Sequence, residues 1–450
     1  MLADSFLAQN PGSGFSILVV DGPPPGFGGD EPFEVLAPSD VGIDREELNR
    51  RATMYSAQGL VASMKPNLLL ALLSRREDPL VLLDADGCVY DDLSPVAQAA
   101  ERHSLVLSPH ALDPHPLWSV DSPEQIILRA GVMNAGLVGV GSGGAGFLRW
   151  WAERTARRCV FDAERGLMLA QTWLTLATAL FDHHVLRDRG CNVAGWNLQA
   201  RDVAWDGDTP TIDGGPLRHF HFAGSFDPEQ PHLLTTIAEH ARWWPSLDER
   251  PGVALLASDY AARLIARGHQ RARASEPRHH TMPGGTPIET WMRSGYRKAL
   301  IDAERAGVEE PPNPFSHGEE RFLGWVEQHA VAHLDGGPSE VEMPSGDRGE
   351  LIEALLDRRQ LLARIMELEG SRDDAVRWAE RARGELLQVI TEHDSRFAEL
   401  SAELDRLAGE HERDKALMES VWRSPSWRMT RPLRQAKALA GRIARGHAAP

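Results

Sequence analysis

Val81–Tyr90 reads VLLDADGCVY, an apolar run that ends in two carboxylates, Asp84 and Asp86, separated by Ala85 and followed by Gly87. The aliphatic residues from Leu80 to Leu83 have the length and character of a strand buried on both faces. Acids at i and i+2 after such a strand put hard oxygen donors at its carboxyl end, where a divalent ion such as Mn or Mg can be held. A nucleotide-diphosphate sugar calls for that ion. Its glycosidic bond breaks with negative charge building on the diphosphate, and a metal stabilises that charge without proton transfer. Such a triplet alone is common and often only caps a turn; the buried strand before it adds weight.

Working outward, short apolar runs alternate with helical patterns: FSILVV (Phe15–Val20), a helix leading through MKPNLLLALLSRR (Met64–Arg76), LVLS (Leu105–Ser108), GLVGV (Gly136–Val140), FLRWWAERTARR (Phe147–Arg158), LMLAQTWLTLATALF (Leu167–Phe181), HVLR (His184–Arg187) and LRHFHF (Leu217–Phe222). This alternation predicts an α/β fold with a mostly parallel, Rossmann-like sheet flanked by helices. Ligands of such sheets sit at the carboxyl ends of strands. Helical segments follow around 232–244 and 253–268, then a Gly- and Pro-bearing stretch to PPNPF at 311–315.

Residues 1–335 are read as one domain. A linker is expected at 336–350, where GGPSEVEMPSG clusters turn formers. From 351 to 420 the composition shifts to Glu, Arg, Leu and Ala. Val376, Ala379, Leu386, Ile390, Phe397, Leu400, Leu404 and Leu407 there mark the seam of a helical coiled coil, a route to a homo-oligomer. The segment 421–450 holds seven basic residues and no acid, with Trp422 and Trp427 among them. That basic tail suits a peripheral contact with an anionic membrane surface.

The whole chain has 450 residues, 42% hydrophobic and 25% charged, with a formal net charge of -17. Global disorder and a nucleic-acid-wrapping role are excluded on those grounds. Cys88, Cys159 and Cys191 form no CxxC pair. The N-terminal stretch MLADSFLAQNPGSG lacks the charge and apolar run of a signal peptide, and no stretch has a spanning length. A cytoplasmic location, peripheral at the inner face of the membrane, is expected.

Two further motifs compete for attention. GSGGAG, 141–146, satisfies GxGxxG between a strand and a helix. The acid such a fingerprint needs would be Asp162 or Glu164, inside or just after the helix, so a tight turn is expected instead. His219 and His221 lie two apart on a strand and share a face, and a neutral imidazole can complete a metal site begun by carboxylates. Ordinary packed histidines remain the plain alternative.

An ordered series of segments resembles the metal-dependent glycosyltransferases of GT-A fold, the glycogenin-like family eight and its bacterial polysaccharide-cluster relatives. It runs through MKPNLL (64–69), DAD (84–86), MNAGLVGV (133–140), the Trp150–Trp151 helix, AQTW (170–173), LRDRGCNVAGWNL (186–198) and HFHFAG (219–224). The resemblance implies Asp84, Asp86 and His221 as metal ligands for Mn or Mg. It implies Asn134 and Gly136 along the donor sugar and Gln171 near the anomeric carbon. Lys65, Asn192 and Asn197 are further pocket candidates. The partners implied are a nucleotide-diphosphate sugar, a UDP-sugar foremost, and a glycan or lipid-linked acceptor in cell-surface glycan synthesis. Trp150, Trp151, Trp173 and Trp196 serve core packing or sugar stacking.

Three departures accompany it. Ala170 stands where the family has an Asp before Gln171. The HxxGxxKP pattern becomes His221, Gly224, Asp227 and Pro228, which removes a diphosphate-binding Lys; Lys65 or Arg187 are the substitutes to hand. The chain begins within the family's first helix, so in-frame codons before Met1 are expected to encode an apolar strand. VLLDADG also resembles the first motif of haloacid dehalogenase-like phosphatases, with Asp84 as nucleophile and Asp86 as acid/base. A degenerate domain kept for assembly is the third possibility.

Overall fold

The computed structural model describes residues 1–22, 31–114, 123–162, 166–235, 244, 246–274, 278–329 and 420. The chain divides into Met1–Gly337 and Pro338–Pro450. The expected linker, the basic tail and, Ser420 apart, the coiled coil lie outside the described residues, as does most of the helix expected around 232–244.

The elements run α1 (Leu2–Gln9), β1 (Ser16–Leu18), β2 (Glu34–Leu36), α2 (Arg45–Met54), α3 (Ala57–Leu73), β3 (Leu80–Leu83), β4 (Gly87–Val89), α4 (Ser94–Arg102), β5 (Leu105–Pro109), α5 (Pro123–Ala130), β6 (Met133–Val140) and α6 (Ala145–Arg158). They continue with β7 (Phe161–Asp162), β8 (Leu167–Met168), α7 (Thr172–Leu180), β9 (His184–Val185), β10 (Val203–Asp206), β11 (Thr209–Ile212), β12 (Gly215–Pro216), β13 (His219–His221) and α8 (Pro251–Ala266), and shorter and longer helices follow to His329. Helix starts obey local capping rules. The Asp44 carboxylate accepts from Glu47 N–H at 2.8 Å, and the Ser56 hydroxyl accepts from Gly59 N–H at 3.2 Å.

The structure is a mixed α/β fold with several small sheets. The largest has four strands in the order β3-β6-β5-β9. The expected mostly parallel sheet is corrected here: β6 runs antiparallel to both β3 and β5, and only β9 is parallel to β5. The cause lies between β5 and β6. The chain leaves at Pro109 and returns beside it, with Met133 opposite Pro109 and His110 N–H donating to the Val132 carbonyl at 3.0 Å. Helix α5 is thus an excursion at one sheet end rather than a crossover, so β6 must run back.

Period-2 alternation then builds two cores. Leu105, Leu107, Val138 and Val140 join Met64, Leu69, Phe147 and Trp151 on one face, while Val106 and Leu137 join Val89, Val96 and Ala100 on the other. A third cluster gathers Phe220 and Phe222 of the β13 end with Leu256 and Tyr260 of α8. In GSGGAG, a β-carbon at Gly144 would meet the Ser104 carbonyl at 2.8 Å and one at Gly141 would strike backbone at Ala100. These glycines permit close packing of a short turn before α6.

Candidate metal centre

Strand β3 carries Asp84 to its carboxyl end, and the turn to β4 closes with Gly87 N–H donating to the Asp84 carbonyl at 3.1 Å. Strand β13 pairs antiparallel with β4 and sets His221 opposite Gly87. Strand pairing thus brings a distant imidazole onto the acidic turn. Donor atoms of Asp84, Asp86 and His221 all lie within 4.8 Å of one another, the one such group among the described residues. His221 Nε2 stands 3.1 Å from Asp86 Oδ1 and 3.9 Å from Asp84 Oδ2.

Charge decides the state of these groups. Burial disfavours a charged His221, yet the Asp86 and Asp84 carboxylates outweigh it and its pKa is raised. Burial also works against a charged Asp86. His221, by charge and hydrogen bond, and then Lys65 overcome that and hold the carboxyl at about 2. Lys65, from α3, pairs with the Asp84 carboxylate and donates to the Ala135 carbonyl at 3.2 Å.

Two carboxylates and one imidazole form a chemically suitable set for a divalent ion. The imidazole is also oriented for it. His221 Nδ1 lies 3.3 Å from Asn192 Oδ1, which can accept a ring hydrogen there, while Nε2, 3.1 Å from Asp86 Oδ1, donates its hydrogen to that carboxylate; a divalent ion would take the place of that hydrogen. Asn192 reaches that position with φ +50, a left-handed conformation that Asn tolerates better than most residues. Opposite the ring, a β-carbon at Gly136 would collide with His221 and with Asn134 Oδ1.

Strand β6 supplies the neighbouring wall. Its pairing with β5 jumps from Leu107↔Val138 to Ser108↔Asn134, and this bulge re-aims residues 134–136. Asp84 N–H meets the Gly136 carbonyl at 3.0 Å. Asn134 Oδ1 accepts from Gly136 N–H at 2.8 Å, and its Nδ2 lies 3.1 Å from His110 Nε2 and 3.4 Å from Gln171 Oε1. Asn197 Nδ2 donates to the carbonyls of His110 and Asn192 at 3.2 and 3.0 Å.

The remaining candidates fall into place around this group or apart from it. Gly224, with φ +84, packs its backbone on Thr235 and Trp244; Trp244 meets Trp196, whose ring stands edge-on to His221 at 5.3 Å. Arg187 is exposed. His219 is wholly buried beneath Gly87, has no hydrogen-bond partner among the described residues, and is pushed down to about 3 by burial and then by the His221 charge. It shares a side with His221, their ring centroids 6.2 Å apart, and does not join the donor group. Trp151 is core, donating to the Ala170 carbonyl at 2.9 Å. Asp227 caps its own turn by accepting from Glu229 N–H at 3.0 Å. Sequence reading missed His110: a lone His after a strand carries no signal until its partners are known.

No protein-family model matches the chain. A stretch of 211 residues is 23% identical to the uncharacterized protein YfnD of Bacillus subtilis, covering 45% of this chain and 63% of that protein. The chain therefore spans less than two thirds of that relative's length. Among solved structures, the galactosyltransferase LgtC, in complex with donor and acceptor sugar analogs, is similar over 62% of this chain and 92% of its own, with 16% identity and a TM-score of 0.31.

Proposed function

We propose that this chain is a glycosyltransferase that moves a sugar from a nucleotide-diphosphate sugar, a UDP-sugar foremost, to a glycan or lipid-linked acceptor in cell-surface glycan synthesis. The observation that carries the reading is the Asp84–Asp86–His221 group; Asn134 packs with His221 around Gly136, and its amide meets Gln171. Asp84, Asp86 and His221 would hold Mn or Mg, and an imidazole ligand favours Mn over the all-oxygen shell that Mg prefers. When bound, that ion supplies charge to the departing diphosphate. Lys65, already on Asp84, adds a second cation beside it. Amides suit sugar hydroxyls, since each offers both donor and acceptor.

In the phosphatase alternative Asp84 would be the nucleophile and Asp86 the acid/base; here Lys65 pairs with Asp84, and His221 Nε2 stands 3.1 Å from Asp86 Oδ1. The membrane contact and the oligomer belong to segments outside the described residues; among the described residues no helix is long and apolar enough to cross a membrane. The test is a thermal-shift panel of UDP-sugars with and without Mn. Stabilisation that needs both donor and metal, and is lost in Asp86→Ala, supports the transferase. Mn without any donor effect would leave a degenerate assembly domain. Phosphomonoester hydrolysis abolished by Asp84→Asn would favour the phosphatase.

A further inference from the structure

We infer that His110 is a positioning residue that fixes the side-chain amide of Asn134 and, through it, that of Gln171. The assignment rests on backbone anchors at both ends of the chain of hydrogen bonds. Gly136 N–H can only donate, so the Asn134 atom 2.8 Å away is its oxygen, and the amide nitrogen must face the other way. That nitrogen meets His110 Nε2 at 3.1 Å and Gln171 Oε1 at 3.4 Å. At the far end the Ala130 carbonyl can only accept, which sets the Gln171 nitrogen 3.0 Å from it and turns Oε1 toward Asn134.

His110 Nε2 therefore has to be an acceptor, with the ring hydrogen on Nδ1. Nδ1 lies buried against the backbone of Val132 and Gly131 without a well-formed hydrogen bond, so the tautomer is set by the Asn134 contact. The ring is buried, and burial pushes the imidazole down to about 4 against a weaker opposing pull from the backbone at Val132 and Gly131. A hydrogen on Nε2 would confront the Asn134 NH2 group. Relieving that clash by flipping the amide would strip Gly136 N–H of its acceptor inside the fold. Both amides are thus held in one orientation, and one Gln171 hydrogen is not used by these contacts.

That this hydrogen serves a donor sugar rests on the transferase reading above; the positioning itself does not. The test uses the full chain, Asn/Gln 15N-labelled, as wild type, His110→Phe and His110→Gln, with His110→Met replacing the Phe variant if it does not fold. Side-chain NH2 hydrogen exchange at Asn134 and Gln171 is expected to be slow in wild type and His110→Gln, and about tenfold faster in His110→Phe, as loss of one oriented hydrogen bond implies. Calorimetry with Mn, UDP and UDP-glucose, UDP-galactose or UDP-N-acetylglucosamine should show the preferred sugar bound about tenfold more weakly by His110→Phe, UDP bound equally, and recovery in His110→Gln. Unchanged amide exchange in His110→Phe overturns the inference, as does an equal loss for UDP and UDP-sugar. If wild type binds none of these sugars with Mn, the transferase reading fails, and amide exchange still decides the role of His110.

Discussion

Gly136 and His221 approach so closely that residue 136 has no room for a β-carbon: an added methyl would lie 2.6 Å from His221 Nδ1 and closer still to Cε1. Strand β6 and strand β13, from distant parts of the sequence, thereby set one wall of the candidate metal site against the other. Gly136→Ala is expected to fold, since Gly136 is not among the glycines with positive φ, but to push the imidazole off its bearing toward Asp84 and Asp86. Mn affinity, by calorimetry, should fall about 10- to 100-fold, the usual effect of disturbing a ligand's support. Wild-type affinity in this variant would refute the placement of His221.

Lys65 holds the Asp84 carboxylate that a divalent ion would also use. Lys65→Met should remove the competitor and tighten Mn binding severalfold, about 1 kcal/mol for one part-buried ion pair. The same change should weaken UDP-sugar binding, because a cation beside the diphosphate is gone. The two measurements must move in opposite directions. If both weaken, Lys65 is structural.

Glu47 lies between Arg157, at 2.7 Å, and the buried Arg51, at 2.8 Å. Burial raises its pKa, but Arg157 and then Arg51 prevail and it is lowered overall. The folded state thus holds this proton less tightly than the unfolded chain. The contribution to stability is complete above the ordinary glutamate value, about 4.3, and is lost as pH falls through the lower folded value. Glu47→Gln should cost about 2 kcal/mol at pH 7, by stranding Arg51, and should flatten the acid limb of stability against pH. Denaturant melts at pH 7 and pH 4 would read both effects.

Ala170 is 2% exposed and sits in the main core with Leu174 and Met133. An acid placed there would bury a carboxylate inside this apolar cluster. Ala170→Asp is expected to lose about 3 kcal/mol of stability rather than to gain activity. A gain in transfer rate with an unchanged melting temperature would show that the side chain reaches the reaction centre instead.

Some features are local and so can be read from the sequence. The apolar run Leu80–Leu83 makes a strand wherever it can be buried, and Asp84 and Asp86 must then stand at its end. Period-2 alternation puts His219 and His221 on one side of β13, and the glycine-rich run 141–146 marks a turn, where Gly141 and Gly144 allow the backbone to approach closely. Capping by Asp44 and Ser56 depends on neighbours three residues away. Other features depend on partners that no local pattern names. The direction of β6 follows from where the chain returns after α5, and alternation of strands and helices reads the same for an excursion as for a crossover. Of two histidines sharing a face, His221 meets the acids and His219 is sealed beneath Gly87, a choice made by the pairing of β13 with β4. His110 acquires its place only when β5, β6 and α7 converge, because a hydrogen-bond direction belongs to the whole chain of donors and acceptors and to no single residue.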